Sequence, residues 1–74
     1  MKPEMLVRMA NQMADFFKSQ SHEDAVAGIE DHIRKFWDPR MRRALAAHLA
    51  AGGEGLKPLA REAAERVCAE VPAA

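Results

Sequence analysis

Residues 33–43 read Ile-Arg-Lys-Phe-Trp-Asp-Pro-Arg-Met-Arg-Arg and determine how the chain turns between its two central helices. The residue before a proline avoids helical geometry, so a helix that runs through Phe36 should end near Trp37. Asp38 is a good N-cap, and Pro39 is a good first residue for the next helix. The sequence therefore predicts two helices joined at a sharp angle with almost no linker.

Apolar residues at helical spacing extend this pattern along the chain on both sides of the joint. Ser21 can cap the second helix, and Gly52-Gly53 can end the third because glycine tolerates the left-handed conformation. No segment alternates with a period of two, so no strand is predicted. The predicted fold is all-α, a small single-domain bundle of about four short helices within residues 1–74. The predicted helices cover about residues 3–19, 22–37, 39–51 and 56–70, followed by a frayed tail at 71–74.

The chain has 74 residues, and its eleven basic and eleven acidic residues cancel. A domain of this size buries only about 60% of the surface of its unfolded chain, and its single cysteine excludes an internal disulfide. We therefore expect weak stability or self-association when the chain is isolated.

Zero net charge argues against general affinity for nucleic acid. No run is long and apolar enough to span a bilayer, and no signal peptide is recognisable, so we expect a cytoplasmic protein without a membrane partner.

No residues have the spacing of a catalytic, cofactor or metal site. None of His22, His32 and His48 has a second histidine or cysteine at ligand spacing, and Cys68 has no second ligand or catalytic histidine near it in sequence. Residues 52–55 form a glycine-rich turn, but they lack the lysine and hydroxyl residue of a phosphate loop. We predict no catalytic, cofactor-binding or metal-binding residue, and we interpret His48 as a packed, hydrogen-bonded core histidine.

The joint also holds five of the eleven basic residues and the only tryptophan. Three of these arginines crowd the N-terminal turns of the third helix, where the helix dipole disfavours positive charge, so helix stability does not explain them. Tryptophan and arginine dominate the hot spots of protein interfaces. A core tryptophan flanked by solvated arginines is the alternative interpretation. The predicted partner-binding residues are Arg34, Lys35, Phe36, Trp37, Arg40, Arg42 and Arg43.

Features of the first and third helices also favour the hypothesis of a partner-binding surface. The first helix carries a stripe of methionines at Met5, Met9 and Met13, which is typical of a core but also recurs at adaptable binding faces. The third helix has no charged residue after Arg43, and a helix without a polar face is usually buried on both sides. In so small a domain, we expect a partner to cover the second side.

The sequence resembles the small delta subunit of soluble, NAD-dependent, molybdenum-containing formate dehydrogenases of bacteria. The resemblance covers about residues 5–64 and depends on three blocks. The blocks are MANQMADFF (9–17), AVAGI with DHIRKFWDPRMR (25–29 and 31–42) and GGEGL (52–56). The middle block is the specific one.

This resemblance implies a partner enzyme. In such enzymes the alpha subunit carries molybdopterin guanine dinucleotide and iron–sulfur clusters, while beta and gamma subunits carry FMN and further clusters and reduce NAD. It implies that the chain is a non-catalytic accessory subunit that binds no redox centre and supports assembly or stability. An assembly factor that helps to insert the molybdenum cofactor without staying bound is one alternative. A helix-turn-helix DNA-binding regulator is another, disfavoured because Asp38-Pro39 replaces the usual turn.

Overall fold

Four helices account for most of residues 2–69, the part of the chain that the computed structural model describes. The helices are α1 (Pro3–Phe17), α2 (His22–Phe36), α3 (Pro39–Ala50) and α4 (Pro58–Cys68). The described residues contain no strand, so the all-α prediction is confirmed. Helix α4 packs mainly on α2 and α3, and α1 packs mainly on α2. The predicted tail at 71–74, like the last residue predicted for the fourth helix, lies outside the described residues.

The joint between α2 and α3 forms as the sequence predicts. Trp37 is extended, with ψ at 129°, and its backbone N–H donates to the carbonyl of Ile33 at 3.0 Å. The carboxylate of Asp38 then accepts a hydrogen bond from the backbone N–H of Met41 at 2.9 Å, and Pro39 is the first helical residue. These local bonds satisfy backbone groups that the helix ends would otherwise leave unpaired.

The other predicted caps are also present. The hydroxyl of Ser21 accepts from the backbone N–H of Asp24 at 3.3 Å, which starts α2. After α3 and its C-cap Ala51 come the two predicted glycines, with φ angles of 119° and 64°. The N–H of Gly52 donates to Leu49 and that of Gly53 to His48, at 3.0 and 2.9 Å. This is the two-bond arrangement that closes a helix when glycine follows it.

Several predicted helix ends need correction. The fourth helix begins at Pro58 rather than near residue 56, because Lys57 precedes the proline and is extended at φ −69° and ψ 156°. Helix α1 ends at Phe17 rather than near residue 19, where a tighter turn begins with the N–H of Gln20 donating to the carbonyl of Phe17 at 3.0 Å. Helices α2 and α3 each end one residue earlier than predicted.

The core lies where all four helices meet. Alanines line the inner faces of α1 and α4 and allow the helix backbones to approach closely, so a small number of large side chains fills the interior. The largest fully buried side chains are Leu6, Val26, Ile29, Ile33, Leu45 and Val67.

The loop between α3 and α4 is attached to α1 by one amide side chain. Asn11 donates from Nδ2 to the carbonyl of Gly55, and its Oδ1 accepts from the backbone N–H of Lys57, both at 2.9 Å. The ammonium of Lys57 lies 2.7 Å from a carboxylate oxygen of Asp15 on the next turn of α1. The Lys57 hydrogen bond lowers the pKa of the Asp15 carboxyl below its ordinary value. The loop is therefore positioned by α1, although more than forty residues separate these partners in the chain.

Candidate protein-docking surface

Trp37 belongs to the core of this chain. Its side chain is only 4% exposed and joins the main apolar cluster. The reason is helical spacing, because Trp37 follows Ile29 and Ile33 along the buried stripe of α2. The tryptophan is therefore not presented at the surface of the isolated chain, in keeping with the alternative interpretation of a core tryptophan at a helix joint.

Phe36, one position earlier, points away from that stripe. Its side chain is 71% exposed, and its ring centroid lies 4.7 Å from that of His32. At the end of α1, Phe16 is 76% exposed and packs edge-on against Phe17 with the ring centroids 5.0 Å apart. Two large aromatic side chains are thus left in water, one on each of two neighbouring helices.

An open groove of about 420 Å³ lies beside these exposed rings. We call it the Met–Phe groove. It is lined by Met9, Gln12, Met13, Phe16, Phe17, His32 and Trp37. Methionine adapts its shape to irregular partners. The groove and Phe36, which contacts His32 at its rim, together form the candidate docking surface.

Gly28 determines where Phe17 lies in this groove. A Cβ atom built on Gly28 would come within 2.6 Å of Cε1 of the Phe17 ring, so only glycine leaves the ring its place against α2. We did not identify Gly28 as a functional residue from the sequence. The available signal was a glycine in the middle of a helical pattern, which costs about 1 kcal/mol relative to alanine unless close packing requires it.

The two basic residues of α2 in the predicted set are paired within their own helix. Arg34 hydrogen-bonds to the carboxylate of Glu30, and the ammonium of Lys35 lies 3.0 Å from that of Asp31. Both are pairs of residues four positions apart, which face each other on a helix. Their charges are therefore largely balanced before any partner arrives.

The arginines of α3 are different. Arg40 and Arg43 are exposed, share one face of the helix, and have no acidic partner within residues 2–69. Arg42 is half-buried, and its Nε atom is shielded from solvent without a hydrogen-bond acceptor in the same part of the chain. Unbalanced positive charge is thus concentrated in the first turns of α3, immediately after the joint.

The histidines and the cysteine are not grouped into a site. Among residues 2–69, no three His, Cys, Asp or Glu side chains are close enough together to hold a metal ion. His48 is half-buried, with Nε2 2.8 Å from the carbonyl oxygen of Glu54, and so helps to hold the glycine-rich turn. Burial raises the pKa of the half-buried Cys68 thiol.

None of the four helices combines the length and hydrophobicity needed to cross a bilayer, as far as the chain is described.

Comparison with known proteins gives one match. The family described as NADH-dependent formate dehydrogenase delta subunit FdsD matches residues 5–64, about four-fifths of the chain. No curated protein and no solved structure matches the chain. The matched range includes the Met–Phe groove, the joint and the arginines of α3. The chain belongs to the family of NADH-dependent formate dehydrogenase delta subunits.

Proposed function

We propose that this chain is a non-catalytic accessory subunit that docks on the catalytic alpha subunit of a cytoplasmic NAD-dependent formate dehydrogenase and supports its assembly or stability. The observation that carries the proposal is the docking surface, where Phe16 and Phe36 are 76% and 71% exposed around an apolar groove. Contiguous apolar surface of this kind commonly marks a protein interaction site.

In this proposal, the redox chemistry belongs to the partner subunits. We place molybdopterin guanine dinucleotide and iron–sulfur clusters in the alpha subunit, and FMN with further clusters in the beta and gamma subunits. The delta subunit contributes binding free energy and shape. Its partner-binding residues are those predicted from the sequence, joined by Phe16 and the rest of the Met–Phe groove. Phe16, Phe36 and the arginines Arg40 and Arg43 make direct contact, and Trp37 supports them from the core.

The two exposed phenylalanines have enough apolar area to matter. Full burial of one such side chain contributes about 1.5–3 kcal/mol, and about 1.4 kcal/mol corresponds to a tenfold change in affinity. Removing Phe16 and Phe36 together should therefore weaken binding by roughly a hundredfold or more. The same change should barely affect folding, because substitutions at exposed positions usually alter the free energy of unfolding by less than about 0.5 kcal/mol.

The test is co-purification of the alpha subunit with a chain that carries Phe16→Ala and Phe36→Ala. We expect the doubly substituted chain to fold, as judged by circular dichroism, and to lose the alpha subunit. Met5→Ala is the matched control, since Met5 is 56% exposed on α1 but does not line the Met–Phe groove. Co-purification at full yield despite both phenylalanine substitutions would show that docking does not use this surface.

A transient assembly factor is the second candidate, favoured by the α3 arginines that lack acidic partners within residues 2–69. Arginine suits bidentate recognition of phosphate, the group that a dinucleotide cofactor presents. Two measurements distinguish the candidates. A structural subunit is present in stoichiometric amount in the purified, active enzyme. A transient factor is absent from that enzyme, yet the molybdenum content falls when the enzyme is produced without it.

A further inference from the structure

We infer that the segment of the catalytic subunit that occupies the Met–Phe groove is amphipathic and acidic. Its apolar side chains would enter the groove, and its carboxylates would pair with Arg40 and Arg43. This inference rests on the proposed function and specifies the chemistry of the partner.

The first argument is the shape and lining of the groove. Its lining residues come from α1 and α2 and from Trp37 at the end of α2, so the groove follows the contact between two helices. Met9, Met13 and Phe16 recur along one face of α1. Amphipathic segments bind in apolar grooves between helices by inserting side chains at regular spacing. Methionines on the wall let the groove adjust to them.

The second argument is the charge next to the groove. Trp37 lines the groove, and Arg40 follows three residues later, so their Cα atoms lie at most about 11 Å apart. The carboxylate of Asp38 is already used as the N-cap of α3. Arg40 and Arg43 therefore add unbalanced positive charge to the positive end of the α3 dipole. A partner carboxylate at this position would be stabilised by the two arginines and by the helix dipole.

The third argument is the contrast with the rest of the surface. The second groove, of about 650 Å³, lies along a different face of α1 and carries charges of both signs, with Glu4, Arg8 and Asp15 among its lining residues. Its wall is already held by internal bonds, such as those of Asn11 and Lys57. The exposed aromatic rings lie at or beside the Met–Phe groove, and the arginines that lack acidic partners within residues 2–69 follow Trp37 in the first turns of α3. The complementary partner is therefore apolar and negative, and a second copy of this chain would instead bring its own arginines.

The test is the affinity for the purified alpha subunit as a function of salt concentration. For Arg40→Glu with Arg43→Glu, we expect affinity to fall about tenfold or more at low salt and the difference to shrink at high salt. Acidic residues in the first turns suit the helix dipole, so the stability of the free chain should stay unchanged or rise. Binding that falls while stability holds cannot come from misfolding.

The control is Lys2→Glu with Arg8→Glu, which changes the net charge by the same amount at exposed positions away from the Met–Phe groove. An equal loss of affinity in this control would overturn the inference, because it would show a general charge effect. Wild-type affinity for the doubly reversed α3 variant would overturn it as well.

Hydrogen exchange on the alpha subunit adds an independent readout. We expect the peptide that becomes protected on binding to contain apolar and acidic residues together, and protection of a basic peptide contradicts the inference.

If the wild-type chain does not bind the alpha subunit, the proposed function itself fails. If the phenylalanine substitutions weaken binding and the arginine substitutions do not, the docking surface is supported and the inference of an acidic partner segment is wrong. Loss of self-association in the phenylalanine variant, with binding to alpha intact, would assign the groove to a second copy.

Discussion

Trp37 and Phe36 are neighbours in the chain, yet one is 4% exposed and the other 71%. Successive residues of a helix point about 100° apart, so a single position separates the core from the surface. The two residues therefore have different roles. Trp37 stabilises the joint from inside, and Phe36 remains available for a partner.

This division predicts how substitutions at the two positions affect stability. Trp37→Ala should lower the free energy of unfolding by about 3–5 kcal/mol, because it leaves a large cavity in a small core. Trp37→Phe should cost less, since it keeps an aromatic ring there. The measurement is urea denaturation followed by circular dichroism. Phe36→Ala is the control and should change stability by less than about 0.5 kcal/mol. Similar losses at both positions would contradict the assignment of Trp37 to the core.

Cys68 gives a second prediction at this scale. Burial raises the pKa of its thiol in the folded chain, so folding favours the protonated form. The corresponding contribution to stability is present below the unfolded pKa of about 8.5 and is lost as the pH rises through the folded pKa. The thiolate is the reactive form, so thiol reagents at pH 8 should modify the folded chain more slowly than the chain in urea. Equal rates in the two conditions would argue against this burial.

At the scale of elements, Asn11 connects α1 to the loop that precedes α4. It makes one hydrogen bond with Gly55 and one with the backbone of Lys57. These contacts join residues 9–17 to residues 52–56, two of the blocks on which the family resemblance depends. The two blocks, although far apart in the chain, therefore act together to hold the loop between α3 and α4 against α1.

Asn11→Ala should therefore destabilise the chain by about 1–3 kcal/mol, because each hydrogen bond contributes roughly 0.5–1.5 kcal/mol net. Urea denaturation measures the change. Gln12→Ala provides the comparison, since its exposed side chain neighbours Asn11 in sequence. If both variants lose the same stability, the amide of Asn11 does not hold the loop.

Gly28 connects α1 and α2 in another way, by making room for the ring of Phe17. Gly28→Ala should gain up to about 1 kcal/mol of helix propensity but displace that ring, so the net change in stability should be small. Because Phe17 lines the Met–Phe groove, binding to the alpha subunit should weaken. The measurement is the dissociation constant beside the unfolding curve. Adding Phe17→Leu relieves the crowding and serves as a second variant. Unchanged affinity in Gly28→Ala would show that the position of Phe17 is unimportant for docking.

At the scale of the whole molecule, four short helices share a core in which alanine is common and large side chains are few. Such a core gives limited stability. The Met–Phe groove and the exposed rings lie over it on one side. Covering them with a partner would add apolar burial that this chain cannot supply alone.

We therefore expect the alpha subunit to stabilise this chain. A partner at a concentration one hundred times its dissociation constant should raise the free energy of unfolding by about 2.7 kcal/mol. Hydrogen exchange of the core amides of α2 and α4 measures this increase within the complex. The chain with Phe16→Ala and Phe36→Ala serves as the reference and should show little protection. Equal protection of both chains by the alpha subunit would contradict the proposed surface.

The helices and most of their ends can be predicted from local sequence patterns alone. Ser21, Asp38 and the glycine pair act on backbone groups within five residues of themselves, so their effect can be predicted without knowing the rest of the fold. The exceptions at α1 and α4 are boundary shifts of about two residues.

Which charged and apolar side chains are available to a partner depends instead on how the helices pack. Arg34 and Arg40 belong to the same basic stretch, but one is paired with Glu30 and the other has no acidic partner among the described residues. The Met–Phe groove depends on the angle at which α1 meets α2, and Phe17 takes its place there because Gly28 lacks a Cβ atom. That angle results from many small packing contacts between residues far apart in the chain, and no local pattern encodes it.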